Sequence, residues 1–184
     1  MGSKECSNEL SNTKTLRYLL RPLKRSDIPL VSIVEREAFA TTWPPTDFYG
    51  ELSNPLAYYL VTEGLSEDAE KTLTQHPDCE SPRGVVRLIQ RIIRKMTLVK
   101  PSIEIPGYIG VWFMDEQAHI VSIAIAETYQ GNGLGELLLI GCVELAYDRR
   151  CQTITLEVRV SNDRAQKLYS KYGFQVSGIR KAYY

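Results

Sequence analysis

The stretch HIVSIAIAETYQGNGLG, residues 119–135, runs straight into the apolar series ELLLIGCVELAY at residues 136–147. Residues 120–126 are mostly aliphatic and predict a strand. Gly131, Gly133 and Gly135 predict a tight turn, and residues 136–147 predict a helix. The first amides of a helix lack intrahelical partners, and the macrodipole adds partial positive charge there. A turn without Cβ atoms at that point suits an anion, a phosphate above all. A glycine-rich connection that packs a helix closely on a strand accounts for these residues equally well.

What is missing narrows the guest. There is no G-x-x-x-x-G-K-[ST], so no lysine or hydroxyl is set for a nucleotide's terminal phosphate and its magnesium. The spacing also departs from G-x-G-x-x-G, which argues against a dinucleotide. The remaining pattern, Gln130-x-x-Gly133-x-Gly135, is similar to the acyl-CoA pyrophosphate loop of the GNAT (GCN5-related) N-acetyltransferases.

Composition bounds the rest. The 184 residues are 43% hydrophobic and 24% charged, which predicts one domain with a sizeable core. Formal net charge is zero, so no global field attracts nucleic acid or membrane, and no direct nucleic-acid partner is expected. The apolar runs fall short of a bilayer span and residues 1–15 lack an apolar signal core, so the expected location is cytoplasmic. Cys6, Cys79, Cys142 and Cys151 are scattered without a C-x-x-C, and there are two histidines, so neither a metal site nor a disulfide framework is predicted. A thiol nucleophile has no motif linking Cys142 or Cys151 to His76 or His119.

Taken in order, residues 1–15 are polar and predict a disordered tail before a domain over residues 16–184. Residues 16–21 read as a strand that Pro22 ends or places at an edge. Ser26 or Asp27 can cap a helix over residues 28–39, with Pro29 in its first turn. After Trp43-Pro-Pro, Thr46 or Asp47 can cap a short helix to Leu52, and residues 57–62 read as a strand. Residues 108–114 and 119–126 form two more strands, joined as a hairpin through Asp115-Glu-Gln. The helix over residues 136–150 leads to a strand over 153–160. Ser161-Asn162-Asp163 caps a last helix to Tyr172, Gly173 ends it, and Phe174 to Gly178 begins one more strand.

Residues 63–105 form a charged insert. Six acidic residues and one lysine over 63–80 give way to six basic residues and one glutamate over 81–105. Within the basic half, residues 85–96 place their apolar side chains on one helical face and Arg87, Arg91, Arg94 and Lys95 on the other. A surface helix docked on the domain explains this pattern, and so does a helix that contacts a membrane or a partner.

The strand over 153–160 sharpens the functional reading. Ile154, Leu156, Val158 and Val160 point to one face, and Thr155, Glu157 and Arg159 to the other. Both faces of such a strand are normally covered in an α/β sheet, so a polar face is a candidate site. An edge strand or a Glu157–Arg159 ion pair would also explain it. Taken together, IAIAETYQGNGLG, LEVRVSNDRAQKLYSKYGF and GIRKAYY resemble the ribosomal-protein-alanine (RimI-type) branch of the GNAT family. Ala38-Phe39, Trp43-Pro44 and residues 48–52 resemble that family's entry helices.

The resemblance implies an α/β (α+β) fold: a mostly antiparallel central sheet, splayed in the middle, with helices on both faces. It implies acetyl-CoA as co-substrate. Ile123, Ala124 and Ile125 match the strand that pairs with its pantetheine arm, and Gly131, Asn132, Gly133, Leu134, Gly135 and Glu136 match its pyrophosphate loop. Asn162 matches a pantetheine contact, Glu157 the general base, and Tyr169 the acid that protonates the leaving thiolate. The acceptor implied is a protein N-terminus, on a ribosomal protein. Its chemistry is apt, since an α-amine with pKa near 8 is roughly a tenth neutral at pH 7, against about one part in a few thousand for lysine. A small amine or a lysine side chain as acceptor, and a non-catalytic acetyl-CoA-binding module, remain open alternatives. Relatives also continue past the equivalent of Tyr184 into a last strand, so an open sheet edge is expected.

Overall fold

The computed structural model describes residues 18–39, 44–64 and 105–180. The tail, residues 65–104 of the charged insert, where a basic helix is expected, and Trp43 lie outside them. Among the described residues, five strands form one sheet in the order β1-β2-β3-β4-β5: β1 Tyr18–Pro22, β2 Ala57–Gly64, β3 Gly107–Met114, β4 Gln117–Ile125 and β5 Thr153–Leu156. The first three junctions are antiparallel and β4 to β5 is parallel. Because β2 pairs with β3, the chain on either side of the insert belongs to the same sheet. The hairpin between β3 and β4 turns on two residues, with Asp115 at φ 50°.

The helices are α1 Ile28–Ala38, α2 Phe48–Glu51, α3 Leu134–Asp148 and α4 Asp163–Lys171. On one face of the sheet, Val31, Val34 and Phe48 pack with Tyr59, Tyr108 and Ala124. On the other, Leu138, Leu139 and Cys142 of α3 pack with Ile109, Val111 and Ile120. Each fully buried aliphatic side chain there contributes about 1.5–3 kcal/mol. The helix lies close to the sheet because Gly141 faces Leu20 of β1, where a Cβ would collide with the leucine methyl.

Four sequence expectations change. Asp27 stands at the N-cap of α1, but its side chain does not cap that helix. Its carboxylate accepts from the Lys24 amide at 2.7 Å and from Arg21 at 2.6 Å, closing the 3₁₀ turn Arg25–Asp27 that precedes the helix. Burial pushes that carboxyl upward, but the Arg21 and Lys24 hydrogen bonds outweigh it and hold the pKa below the ordinary range. Helix α3 starts at Leu134, two residues earlier than the apolar run suggested, because Gly133 at φ 79° makes the sharp entry. Strand β5 stops at Leu156, halfway along the alternating stretch, where its partner strand diverges. Residues 174–180 are irregular rather than a strand, with Val176 and Ile179 exposed and no strand beside them among the described residues.

Candidate active site

The site begins where β4 and β5 part. Their pairing runs from Gln117↔Thr153 to Ile120↔Leu156 and then ends, although β4 continues to Ile125 against β3. At the point of parting, β4 carries one extra residue: Gly110 faces Ser122 and Val111 faces Ile120, so Val121 has no partner. Such a bulge bends its strand and increases local twist, which opens the sheet. Beyond it, Ala126 donates to Pro106 across the β3 side at 2.8 Å. By alternation, Ala124 also turns its backbone groups to β3, and Ile123 and Ile125 turn theirs into the gap. The carbonyl of Ile125 accepts there from the Gln130 side chain at 3.3 Å. Of the three residues matched to the pantetheine strand, Ile123 and Ile125 therefore present backbone groups to a ligand.

The glycine turn caps the same opening. Gly131 and Gly133 have φ 86° and 79°, left-handed values that cost a side-chain-bearing residue roughly 1 kcal/mol or more. Gly133 is the N-cap of α3 and supplies no side-chain cap, and the first helical bond is Leu137 N–H to its carbonyl at 2.9 Å. The amides of Leu134, Gly135 and Glu136 therefore have no intrahelical acceptors. Asn132 folds its side chain back onto the Tyr129 carbonyl at 3.1 Å, and Leu134 is buried, so both offer backbone to a ligand. The Glu136 carboxylate is taken up by Lys171 and the Tyr172 hydroxyl, which tie α4 to the first turn of α3. Two left-handed glycines and three amides without intrahelical acceptors fit the diphosphate of a CoA thioester.

Glu157 follows β5 at the mouth of the gap and pairs with Arg180 at 2.8 Å. Its neighbours Leu156 and Val158 turn into the cluster under α3 and α4, so Glu157 points the other way. Tyr169 sits inside that cluster, 6% exposed, against Phe174 at 5.8 Å between ring centroids. Burial pushes its hydroxyl up to about 12, so it stays protonated at neutral pH. Asn162 is the N-cap of α4: its Oδ1 accepts from Ala165 N–H at 3.1 Å, which leaves its amide nitrogen to donate elsewhere. Glu157, Asn162 and Tyr169 thus all lie on the chain that follows β5, with Glu157 turned away from the cluster that holds Tyr169 and Asn162 at the start of α4. Cys142 is fully buried and its thiol is pushed up to about 12, which makes it a packing residue.

Two groups escaped the sequence reading. Arg164, in the first turn of α4, donates to the Gln130 side chain at 3.1 Å beside Gly131. Its adjacency to Asn162 was the one available signal, but only the fold sets it against the loop. On the α1 face, the buried Glu35 carboxylate accepts from the Thr46 amide and hydroxyl and from the Tyr108 hydroxyl at 3.3 Å. It ties the chain after α1 to the sheet, and no motif marks it.

A bulged strand parting from its parallel neighbour above a glycine-capped helix defines an acyl-CoA-dependent transferase fold, and residues 65–174 match the model of the acetyltransferase (GNAT) family, to which this chain belongs. Over 166 residues it is 34% identical to the putative ribosomal protein bS18-alanine N-acetyltransferase of Bacillus subtilis, covering 90% of this chain and 85% of that protein. It is 35% identical over 168 residues to the N-alpha-acetyltransferase RimI of Mycobacterium tuberculosis, covering 88% and 81%. The crystal structure of the ribosomal-protein-alanine N-acetyltransferase from Escherichia coli superposes with a TM-score of 0.64 at 21% identity, over 91% of this chain and 84% of that one. The chain is accordingly an acetyl-CoA-dependent N-acetyltransferase.

Proposed function

We propose that this protein acetylates the N-terminal α-amine of a ribosomal protein, in the cytoplasm, with Glu157 as general base and Tyr169 as general acid. Identity spread over nine-tenths of the chain to the Bacillus subtilis protein carries the acceptor class. Acetyl-CoA supplies an activated thioester, and the glycine turn, Ile123, Ile125 and Asn162 are the groups that would hold it. Glu157 accepts the proton that the amine must lose on acylation, directly or through one water. The outward amide N–H groups of Ile123 and Ile125 are suited to stabilise negative charge on a carbonyl oxygen. Tyr169 donates its proton to the departing sulfur, a role its elevated pKa permits across the neutral range.

The test is mass spectrometry of peptides incubated with acetyl-CoA and the protein, with free and with blocked N-termini, and with ribosomal-protein N-termini among them. Mass gain confined to free termini, fastest on a ribosomal-protein sequence, is the expected result. Acetylation of lysine side chains or small amines in preference to termini would refute the acceptor assignment.

A further inference from the structure

The glycine turn has a cation fixed beside it. A side chain on Gly131 would begin 3.6 Å from Nη2 of Arg164. Nη1 of the same guanidinium donates to Gln130 Oε1 at 3.1 Å, and the Gln130 amide nitrogen donates to the Ile125 carbonyl at 3.3 Å. One line of hydrogen bonds therefore runs from the end of β4 to a guanidinium at the turn. Arg164 makes no ion pair among the described residues, so its tether is a neutral amide and its charge is uncompensated. The carboxylate that would repel an anion there, Glu136, is occupied by Lys171 and Tyr172.

We infer that Arg164 binds the diphosphate of CoA at the glycine turn, and that Gln130 is a positioning residue that holds it there. This rests on the reading of the turn as the acetyl-CoA site. A diphosphate brings two negative charges, and backbone amides alone supply only partial positive charge. A guanidinium offers paired N–H donors matched to phosphate oxygens, the strong charge-assisted form of hydrogen bond. Gln130 lowers the entropy that an exposed arginine would lose on binding, because one of its nitrogens is already held.

The experiment is titration calorimetry of CoA, dephospho-CoA and pantetheine with the intact protein and with R164Q, R164K and Q130A. The steady-state constants for acetyl-CoA would be measured in parallel. R164Q is expected to weaken CoA and dephospho-CoA alike, by about tenfold for one exposed charge-assisted contact, and to leave pantetheine unchanged. KM for acetyl-CoA rises with it while kcat holds. R164K recovers part of the loss, and Q130A costs a smaller factor, about threefold.

A loss confined to CoA and absent with dephospho-CoA would move the contact to the 3′-phosphate and overturn the assignment. An equal loss for pantetheine would make Arg164 a structural residue, as would a lowered melting temperature of R164Q that R164K restores without restoring affinity. No loss for CoA overturns the proposal outright. If the unsubstituted protein binds CoA no better than pantetheine, the reading of the turn itself fails, separately from Arg164.

Discussion

The proposed roles of Glu157 as base and Tyr169 as acid each make a distinct prediction. Glu157→Gln removes the proposed acceptor for the amine's proton while keeping size and hydrogen bonding. Turnover should fall on the order of a hundredfold or more, with CoA affinity by calorimetry unchanged. Equal turnover of the two proteins across the pH range would remove Glu157 as the base. Tyr169→Phe should cut kcat about tenfold or more without raising KM for acetyl-CoA. Because burial pushes this hydroxyl up to about 12, its ionisation should leave no alkaline limb in the rate profile below about pH 11. A limb near pH 10 that Tyr169→Phe abolishes would mean the phenol is not held in a buried environment. At this scale the sequence exposed the polar residues, since Glu157 lies on the polar face of an alternation and Tyr169 lies in the helix that Asn162 caps. It could not show that Asn162 spends its amide oxygen on capping α4, nor that Glu136 spends its carboxylate on Lys171 and Tyr172.

Among the elements, α3 carries the fold and the site together. Its N-terminus offers the amides proposed to cradle an anion, and its middle is pressed on β1 at Gly141. Gly141→Val would place a branched side chain where Leu20 and Leu60 already sit. Overpacking of this kind costs about 1–3 kcal/mol, which urea denaturation would register as a lower midpoint at constant slope. An unchanged midpoint would show that helix and sheet are not in close contact there. The helix was legible from twelve apolar-rich residues, and the glycines before it marked the turn. Where β5 ends was not legible, because alternation continues to Val160 while the strand stops at Leu156, where it loses its partner. Periodicity reports which face a side chain takes; pairing depends on whether another strand is beside it.

Across the whole molecule, buried phenols set the alkaline behaviour. Tyr18 and Tyr169 are both raised to about 12, each chiefly by desolvation, and Tyr59 and Tyr108 shift in the same direction. In the unfolded chain these groups ionise near pH 10. Below that pH the two states hold equal protons. Between about 10 and 12 the unfolded state loses protons that the native state keeps, so stability contributed by these tyrosines falls as pH rises. Unfolding free energy measured in urea should therefore decline between pH 9.5 and 11, and Tyr169→Phe should flatten part of the slope. A pH-independent free energy over that window would contradict the burial. What the sequence determined by itself was local: a strand, a glycine turn and an apolar helix in that order, the polar face of residues 155–159, and the family resemblance that their spacing carries. These follow from side-chain periodicity and backbone permissiveness, which are properties of neighbouring residues. Tertiary structure decided where β4 leaves β5, which backbone groups of Ile123 and Ile125 open into the gap, and that Arg164 stands against Gly131 from thirty-odd residues away. Those depend on the one extra residue at Val121 and on the docking of α4, and contacts between distant segments leave no period in the chain.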